Sequence, residues 1–382
     1  MKYSLLKRIY FLLSLILLIA SGAAAQKTQP AYLLVGTYTA GKGEGIYVYS
    51  FNPVTAASKL VSIAKTSNPS FLAVAPGKKT VYAVNENADS TMHTTGGYIS
   101  AFRFKNGTLT EINKVSSGGN HPCYVAVDKT GNWVFAGNYT SGSIGLIAVK
   151  KDGSLDSLKQ VVQHSGSGAD PVRQKSPHVH GTFLSPDNRY LFVPDLGIDK
   201  LMNYTFNVKA GILQPAKIPF EKLSPGSGPR HLDIHPNGKY VYLLLEMMGE
   251  VIVYKNAGHA NLQEVQTFSS LPPYYKGPIG AADIHVSKDG KFLYCSNRGN
   301  ANTIGIFSID NVTGKLTSVG HQYVMGTKPR NFNFSPGEDF LLVANQESNN
   351  IVIFKRDKQT GLLTDTGKRI DVPNPACIKW IK

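Results

Sequence analysis

SKDGKFLYCSNR, residues 287–298, opens on a turn and runs into an apolar stretch that ends at Asn297. Lys288, Asp289 and Gly290 supply the turn chemistry, and Phe292–Ser296 reads as a short strand buried on both faces. The same arrangement returns without gaps as APGKKTVYAVNE (75–86), DKTGNWVFAGNY (128–139), SPDNRYLFVPDL (185–196), HPNGKYVYLLLE (235–246) and SPGEDFLLVANQ (335–346). Asn85, Asn138, Asp195, Leu245, Asn297 and Asn345 then share one column, at separations of 53, 57, 50, 52 and 48 residues. Gly36, in YLLVGTY, lies 49 residues before Asn85 and stands as the seventh, N-terminal member.

Each unit has a strand upstream of this one, among them PSFLAV (69–74), PCYVAV (122–127), VHGTFL (179–184), PRHLDI (229–234), AADIHV (281–286) and PRNFNF (329–334). Apolar residues at the fourth and sixth places give period-two alternation. A third strand follows, such as GYISAFRF or TIGIFSI, and a Gly-containing turn leads to an edge segment such as GTLTEI or GKLTSV. Four short strands in roughly 50 residues is the spacing of a propeller blade. A lone four-stranded sheet cannot cover both apolar faces; radial stacking does so, and closing the ring removes most free edges. The sequence therefore predicts an all-β, seven-bladed β-propeller of four-stranded antiparallel blades. The first unit lacks an upstream strand, and the C-terminal PACIKWI (375–381) has its pattern, so the C-terminal strand is expected to close the ring. A β-helix would need shorter coils, and two separate domains would interrupt the period.

Lys2, Lys7 and Arg8 precede an apolar run from Ile9 to Ala20, followed by Ala23-Ala24-Ala25. That order is expected of a signal peptide over residues 1–25, with the propeller occupying 26–382 and the protein exported to the periplasm or exterior. The run is short for a membrane span, so no membrane association is expected after cleavage. Net charge is +15, with Lys and Arg scattered through turns. This favours a solvated basic surface or attraction of small anions over nucleic-acid binding, which wants a basic stripe. Cys123, Cys295 and Cys377 are odd in number and far apart, and are expected as buried free thiols. No GxSxG, HExxH, P-loop or EF-hand motif occurs, so no metal or other cofactor is expected.

The repeat supplies its own reference for unusual residues. The second place of the upstream strand holds Ser70, Cys123, His180, Arg230, Ala282, Arg330 and Ala376; the place after the Asn column holds Glu86, Tyr139, Leu196, Glu246, Arg298 and Gln346. With the two strands antiparallel, both columns meet at one mouth of the central channel. His180, Arg230, Arg330, Glu246, Arg298 and Glu86 would then surround one pocket. A competing reading keeps Glu246 and Arg298 as an inter-blade ion pair, Asp195 as a turn clamp, and Asp233 with His285 as a structural pair.

The segments SPHVHGTFLSPDNRYLFVPDLGID, GPRHLDIHPNGKYVYLLLE, AADIHVSKDGKFLYCSNRG and KPRNFNFSPGEDFLLVANQ resemble the bacterial propeller-type 6-phosphogluconolactonase family, which includes the fungal carboxymuconate-cyclizing enzyme. The resemblance extends from about Ala31 to Lys382. It implies lactone hydrolysis without a required metal, and site residues at His180 or His178, Arg230, Glu246 and Arg298. The chain departs from the family pattern at Leu245, where an Asn-Glu ending is more usual. Lactone hydrolysis needs an activated water and an oxyanion stabiliser. Glu246 or His180 is the expected base. Arg230 and Arg298 are expected to hold the oxyanion and carboxylate, while His178, His231, Arg330 and Glu86 bind a small anionic or sugar lactone. The other function classes consistent with these residues are a non-catalytic propeller that binds an anionic sugar or a protein, and a muconate-type cycloisomerase.

Overall fold

In the computed structural model, seven four-stranded antiparallel sheets follow one another along the chain. Residues 31–77, 79–88 and 96–381 are described; the expected signal peptide lies outside them. Blade 1 takes Ala31–Thr37, Gly45–Phe51 and Ser58–Lys65 from the start of the described chain and Pro375–Ile381 from its end. The closing strand pairs with Ala31–Thr37 in the register Tyr32↔Ile381, Val35↔Ile378 and Gly36↔Cys377. The innermost strands of blades 2 to 7 are Leu72–Val74, Pro122–Val127, Phe183–Leu184, Pro229–Ile234, Ala281–Val286 and Pro329–Phe334. The upstream strands of the sequence are thus the inner ones, and neighbours among them touch around the channel. Blade 4 is the exception to a full-length inner strand. Val179 makes one isolated bridge with Asp195, and pairing resumes only at Phe183, whose ring occupies the space a Cβ on Gly181 would need.

The second strands Thr80–Asn85, Tyr240–Leu245, Phe292–Asn297 and Phe340–Asn345 are buried at every position. Their apolar side chains face both neighbouring blades, so the core is the set of blade–blade interfaces. Phe292, Tyr294 and Ile306 of blade 6 pack with Phe332, Leu341 and Phe354 of blade 7; Tyr242 and Val253 of blade 5 pack with Leu293 and Phe307 of blade 6. A repeated polar contact fixes the radial spacing. The Tyr82, Tyr242 and Tyr294 hydroxyls donate to Gly153, Gly314 and Gly361 carbonyls in the next blade's outer hairpin, at 3.1, 3.0 and 2.7 Å. Gly314 and Gly361 have positive φ and lie against the Tyr240 and Phe292 rings, where a Cβ would approach within 2.3 and 2.5 Å. Both the conformation and the close approach require glycine there.

The Asn column is a latch. Asn85, Asn138, Asn297 and Asn345 donate Nδ2 to Ser67, Ser117, Ser270 and Val324 carbonyls, each in the connection arriving from the preceding blade. Two blades deviate, and each compensates. Asp195 lacks the amide donor, and His164 in the incoming connection donates instead, Nδ1 to Oδ2 at 2.6 Å. Leu245 has no polar group; Asp199, one blade earlier, accepts from Gly226 N, Gly228 N and Ser227 Oγ and fixes that connection. The Asp195–His164 pair continues to the Tyr204 hydroxyl at 2.8 Å from His164 Nε2. All three residues are buried, and Asp195 also receives the N–H groups of His178 and Gly197, so the constellation clamps a turn.

Polar groups stitch the inner strands across blades 5, 6, 7 and 1. Asp283 accepts from His231 Nδ1 at 2.8 Å, His285 Nε2 at 3.1 Å and Asn331 Nδ2; Asn331 Oδ1 in turn accepts Ile378 N–H at 2.7 Å. Asp233 and His285 approach each other at 3.9 Å. The three cysteines are buried free thiols.

Two consequences follow for stability. Deleting residues 373–382 strips the innermost strand from blade 1 and uncovers Ile378 and Ile381. Fully burying each such side chain contributes about 1.5–3 kcal/mol, against a total stability of order 5–15 kcal/mol. Loss of the cooperative calorimetric transition is expected; an unchanged Tm would show that the closing strand is dispensable. Burial opposes protonation of His285, but the Asp283 carboxylate, then Asp233, outweigh it and raise its pKa. Its ion pair therefore contributes fully below the ordinary histidine value near 6.5 and is lost as pH rises through the raised value. Tm measured from pH 6 to 9 should decline, and His285→Asn should flatten that decline; an identical slope in the variant would rule out this pair as its source.

Candidate active site

The site is built by a bulge. In the inner strand of blade 5, Pro229 pairs with Leu245 and His231 with Leu244, so Arg230 is the extra residue; Arg330 is the extra residue between Pro329 and Asn331 in blade 7. A bulge turns a side chain that strict alternation would send elsewhere. Arg230 and His231 consequently both face channel groups. The antiparallel pairing of Pro229 with Leu245 brings the next residue, Glu246, beside Arg230.

Glu246 is the centre of the cluster. Its Oε2 lies 2.9 Å from Arg230 Nε and 2.9 Å from Arg298 Nη2, and its Oε1 lies 2.8 Å from Arg173 Nη2. Arg230 is 2% exposed and its Nη1 donates to Ala282 O, while Arg298 donates to Gly280 O and Ala281 O. Both guanidiniums are therefore fixed. The buried Nε–H of Arg230 meets the Glu246 carboxylate off-axis, as an ion pair and not an aligned hydrogen bond. His180 Nε2 lies 3.9 Å from Glu246 Oε2, and its Nδ1 lies 3.7 Å from Cys123 Sγ.

These positions set the protonation states. Burial alone would raise the Glu246 carboxyl, but Arg298 and Arg230, then His180 and Arg173, hold it well below the usual carboxylate range. Burial, reinforced by Arg230, pushes His180 well below the ordinary imidazole value, so the ring is neutral. Burial and Arg298 bring Arg230 down to about 10, still a cation at neutral pH. Burial pushes the Cys123 thiol up, which keeps it from acting as a thiolate.

A second group of residues shares the mouth. Arg330 Nη2 donates to the Tyr38 hydroxyl at 2.8 Å and its guanidinium lies over the Tyr38 ring at 5.3 Å. Tyr38 in turn donates to Glu86 Oε2 at 2.8 Å, and Ser70 Oγ donates to the same oxygen. His178 stands beside His180 at the rim, stacked on Tyr139 with centroids 4.4 Å apart and bonded through Nδ1 to the Tyr139 carbonyl at 2.9 Å. His231 lies deeper. It is committed to Asp283, and its ring meets Phe71, Tyr124 and Phe183 edge-on. Among the described residues no group of three or more His, Cys, Asp and Glu side chains is placed to hold a metal ion.

Residues 32–380 match the family model described as lactonase, 7-bladed beta-propeller. The chain belongs to this lactonase family. It is 36% identical to the 6-phosphogluconolactonase of Bacillus subtilis (strain 168), over 91% of this chain and 97% of that one. It is 39% identical to the 6-phosphogluconolactonase of Formosa agariphila, over 87% and 94%. Its fold is similar to the solved structure of the Pseudomonas aeruginosa periplasmic gluconolactonase, with TM-score 0.88, 39% identity and coverage of 93% and 99%.

In this lactonase, His180, Arg230, Glu246 and Arg298 come together, and Arg330 and Glu86 join at the same mouth through Tyr38. Arg173 and Tyr38 were missed from sequence because they lie in connections outside the repeat columns. The one available signal was the 57-residue separation of Asn138 and Asp195, the longest in the series, which marks the insertion that carries Arg173. That insertion is well held: Asp170 Oδ1 accepts Val172 and Arg173 N–H, and Gln174 Nε2 donates to Leu196 O and Asp199 Oδ1.

Removing the shared carboxylate would leave three guanidiniums facing one another. Breaking a buried pair from one side typically costs about 3–5 kcal/mol, because the partner charge is left uncompensated. Glu246→Leu is expected to lose at least this much in urea unfolding. Unfolding at wild-type denaturant concentration would mean that the arginines find other anions and that Glu246 is not the keystone.

Proposed function

We propose that the protein is an exported lactone hydrolase of the 6-phosphogluconolactonase type and that this mouth is its active site. The observation that carries the reading is the meeting of a neutral buried imidazole, a carboxylate fixed as an anion, and four guanidiniums at one end of the channel. Lactone hydrolysis turns a neutral ester into a carboxylate through an oxyanion, so every charge that develops is negative. A cluster richer in cations than anions suits that change.

His180 is the general base. The guanidiniums around Glu246 commit it to ion pairs and suppress its proton affinity. Burial and Arg230 also lower the affinity of His180, but its neutral ring is in no ion pair with an arginine and lies 3.9 Å from Glu246 Oε2, which supports the proton it takes up. A water hydrogen-bonded to the imidazole donates one proton to His180 and attacks the lactone carbonyl. The carbonyl oxygen becomes an oxyanion held by the Arg298 and Arg230 guanidiniums. The ring C–O bond then breaks, and the leaving alkoxide takes the proton from the imidazolium. Glu246 stabilises that transient imidazolium and keeps both arginines oriented. Arg330, steadied by Tyr38 and Glu86, binds the polar tail of the substrate, with His178 at the rim. His231 supports Arg230 from below.

The signal-like N-terminus and the similarity to a periplasmic gluconolactonase favour an unphosphorylated sugar lactone as the substrate after export. Among the described residues no helix is long and apolar enough to cross a membrane.

With δ-gluconolactone as substrate, His180→Asn should lower kcat/KM by about 10²–10⁴-fold, the usual contribution of a positioned base. Arg298→Gln should lower it by about 10²–10³-fold, as for loss of an oxyanion donor. Because the imidazole pKa is depressed, the base stays competent as pH falls through 6.5, and the acid limb of kcat/KM should lie well below that value. A limb near 6.5, or wild-type turnover by His180→Asn, would remove His180 from the base role.

A further inference from the structure

The channel has a second mouth, formed where the inner strands end. Three adjoining clefts of about 370, 440 and 430 Å³ open around it. Tyr124 and Ala126 border two of them, and Asn333 and Trp380 border another two, so the three form one funnel to which all seven blades contribute. This is the size range of small-molecule pockets.

The funnel is two-sided. Blades 2, 3 and 4 supply an aromatic floor: Phe71 stacks on Tyr124 at 4.1 Å, and Tyr124 meets Phe183 at 4.9 Å. Blades 5, 6, 7 and 1 supply a polar arc from the fifth place of their inner strands: Asp233, His285, Asn333 and Lys379. Asp233 and His285 keep 34% and 24% of their side chains exposed. Asn333 donates Nδ2 to Ile378 O at 3.0 Å, and no described donor occupies its amide oxygen. The Lys379 ammonium lies 4.7 Å over the Phe71 ring and pairs with no carboxylate among the described residues. A ring with an apolar C–H face and a hydroxylated edge matches such a site, because the aromatic floor takes the face while carboxylate, imidazole and amide take the hydroxyls. The unpaired ammonium adds recognition of a negative group.

We infer that the far mouth is a second ligand site, for a sugar acid the size of one pyranose ring, separate from the lactone-binding mouth. Its residues touch none of the groups given roles in hydrolysis except through His231 and Asp283. Occupancy is therefore expected to be independent of turnover.

D-glucuronate, a sugar acid with no lactone to hydrolyse, is the probe. Calorimetric titration of the mature full-length protein should show binding. Lys379→Ala should weaken it about tenfold, the loss of one charge-assisted contact, while δ-gluconolactone turnover stays within about twofold. Asn333→Ala, on the neighbouring blade, provides the same reading should Lys379→Ala unsettle the closing strand. Arg298→Gln, at the other mouth, should leave glucuronate binding in place. The inference is overturned if the wild type does not bind glucuronate. It is equally overturned if binding follows Arg298→Gln and ignores Lys379→Ala and Asn333→Ala, since the sugar acid then sits only in the lactone site.

Discussion

Each blade carries a second strand that is apolar on both faces, and no sheet with that property can face water on either side. Four of these strands are buried at every position, and the other three have a single half-buried residue each. The ring is the arrangement that covers both faces of every sheet at once, and it exists only if the first and last blades also meet. The pairing of Pro375–Ile381 with Ala31–Thr37 supplies that meeting. The inner strands are then forced side by side around an axis, and their channel-facing positions are the one internal place where polar side chains from distant parts of the chain converge. The candidate site is a by-product of covering hydrophobic sheets, which is why its residues come from blades 1, 2, 4, 5, 6 and 7 and from one connection.

How much of this the sequence discloses depends on whether a residue sits in the repeat. The column after Asn85 and its equivalents predicts Glu246, Arg298 and Glu86 at one mouth, because every blade sends that position to the same end. The second-place column predicts Arg230, Arg330 and His180 for the same reason, and the bulges of blades 5 and 7 keep its arginines aimed inward. Arg173 and Tyr38 are invisible to this logic. They belong to connections whose lengths vary, and nothing periodic sets where their side chains reach. His231 is legible as an unusual residue but not as a partner of Asp283, since that contact depends on which blade stands next. Leu245 shows the limit from the other side. It departs from its column, yet the latch it lacks is replaced by Asp199, one blade earlier, and Glu246 keeps its place.

The charges at the mouth around Glu246 do not balance. Two carboxylates, Glu246 and Glu86, face four arginines, and the nearby imidazole is held neutral. Desolvated cations in excess repel one another, and Arg298 is among the groups that lower the pKa of Arg230. The protein meets this cost by tethering Arg230 and Arg298 to backbone carbonyls and by sharing one carboxylate oxygen between them. What remains is a net positive field, which favours any oxygen that gains negative charge there. Transition-state stabilisation requires that interactions strengthen as the reaction proceeds, and an excess of fixed positive charge strengthens with each increment of negative charge on the substrate.

The middle of the channel matters to that chemistry. Phe71, Tyr124 and Phe183 meet the His231 ring between the two mouths, so the candidate site rests on a packed aromatic and imidazole layer. Backing of this kind excludes water behind Arg230 and His180, and the lost solvation, with the Arg230 charge, keeps His180 neutral. It also lies between this mouth and the far funnel, where Asp283 accepts from His231 and His285, Asp233 accepts from the backbone N–H groups of Ile234 and Val286, and Glu338 pairs with Arg356. Two polar ends on one axis would disturb each other's protonation if they were in open contact. Across this aromatic and imidazole layer Asp283 acts on His285 and His231 and also supports the charge on Arg230, while the state of Glu246 is set by the arginines and His180 around it.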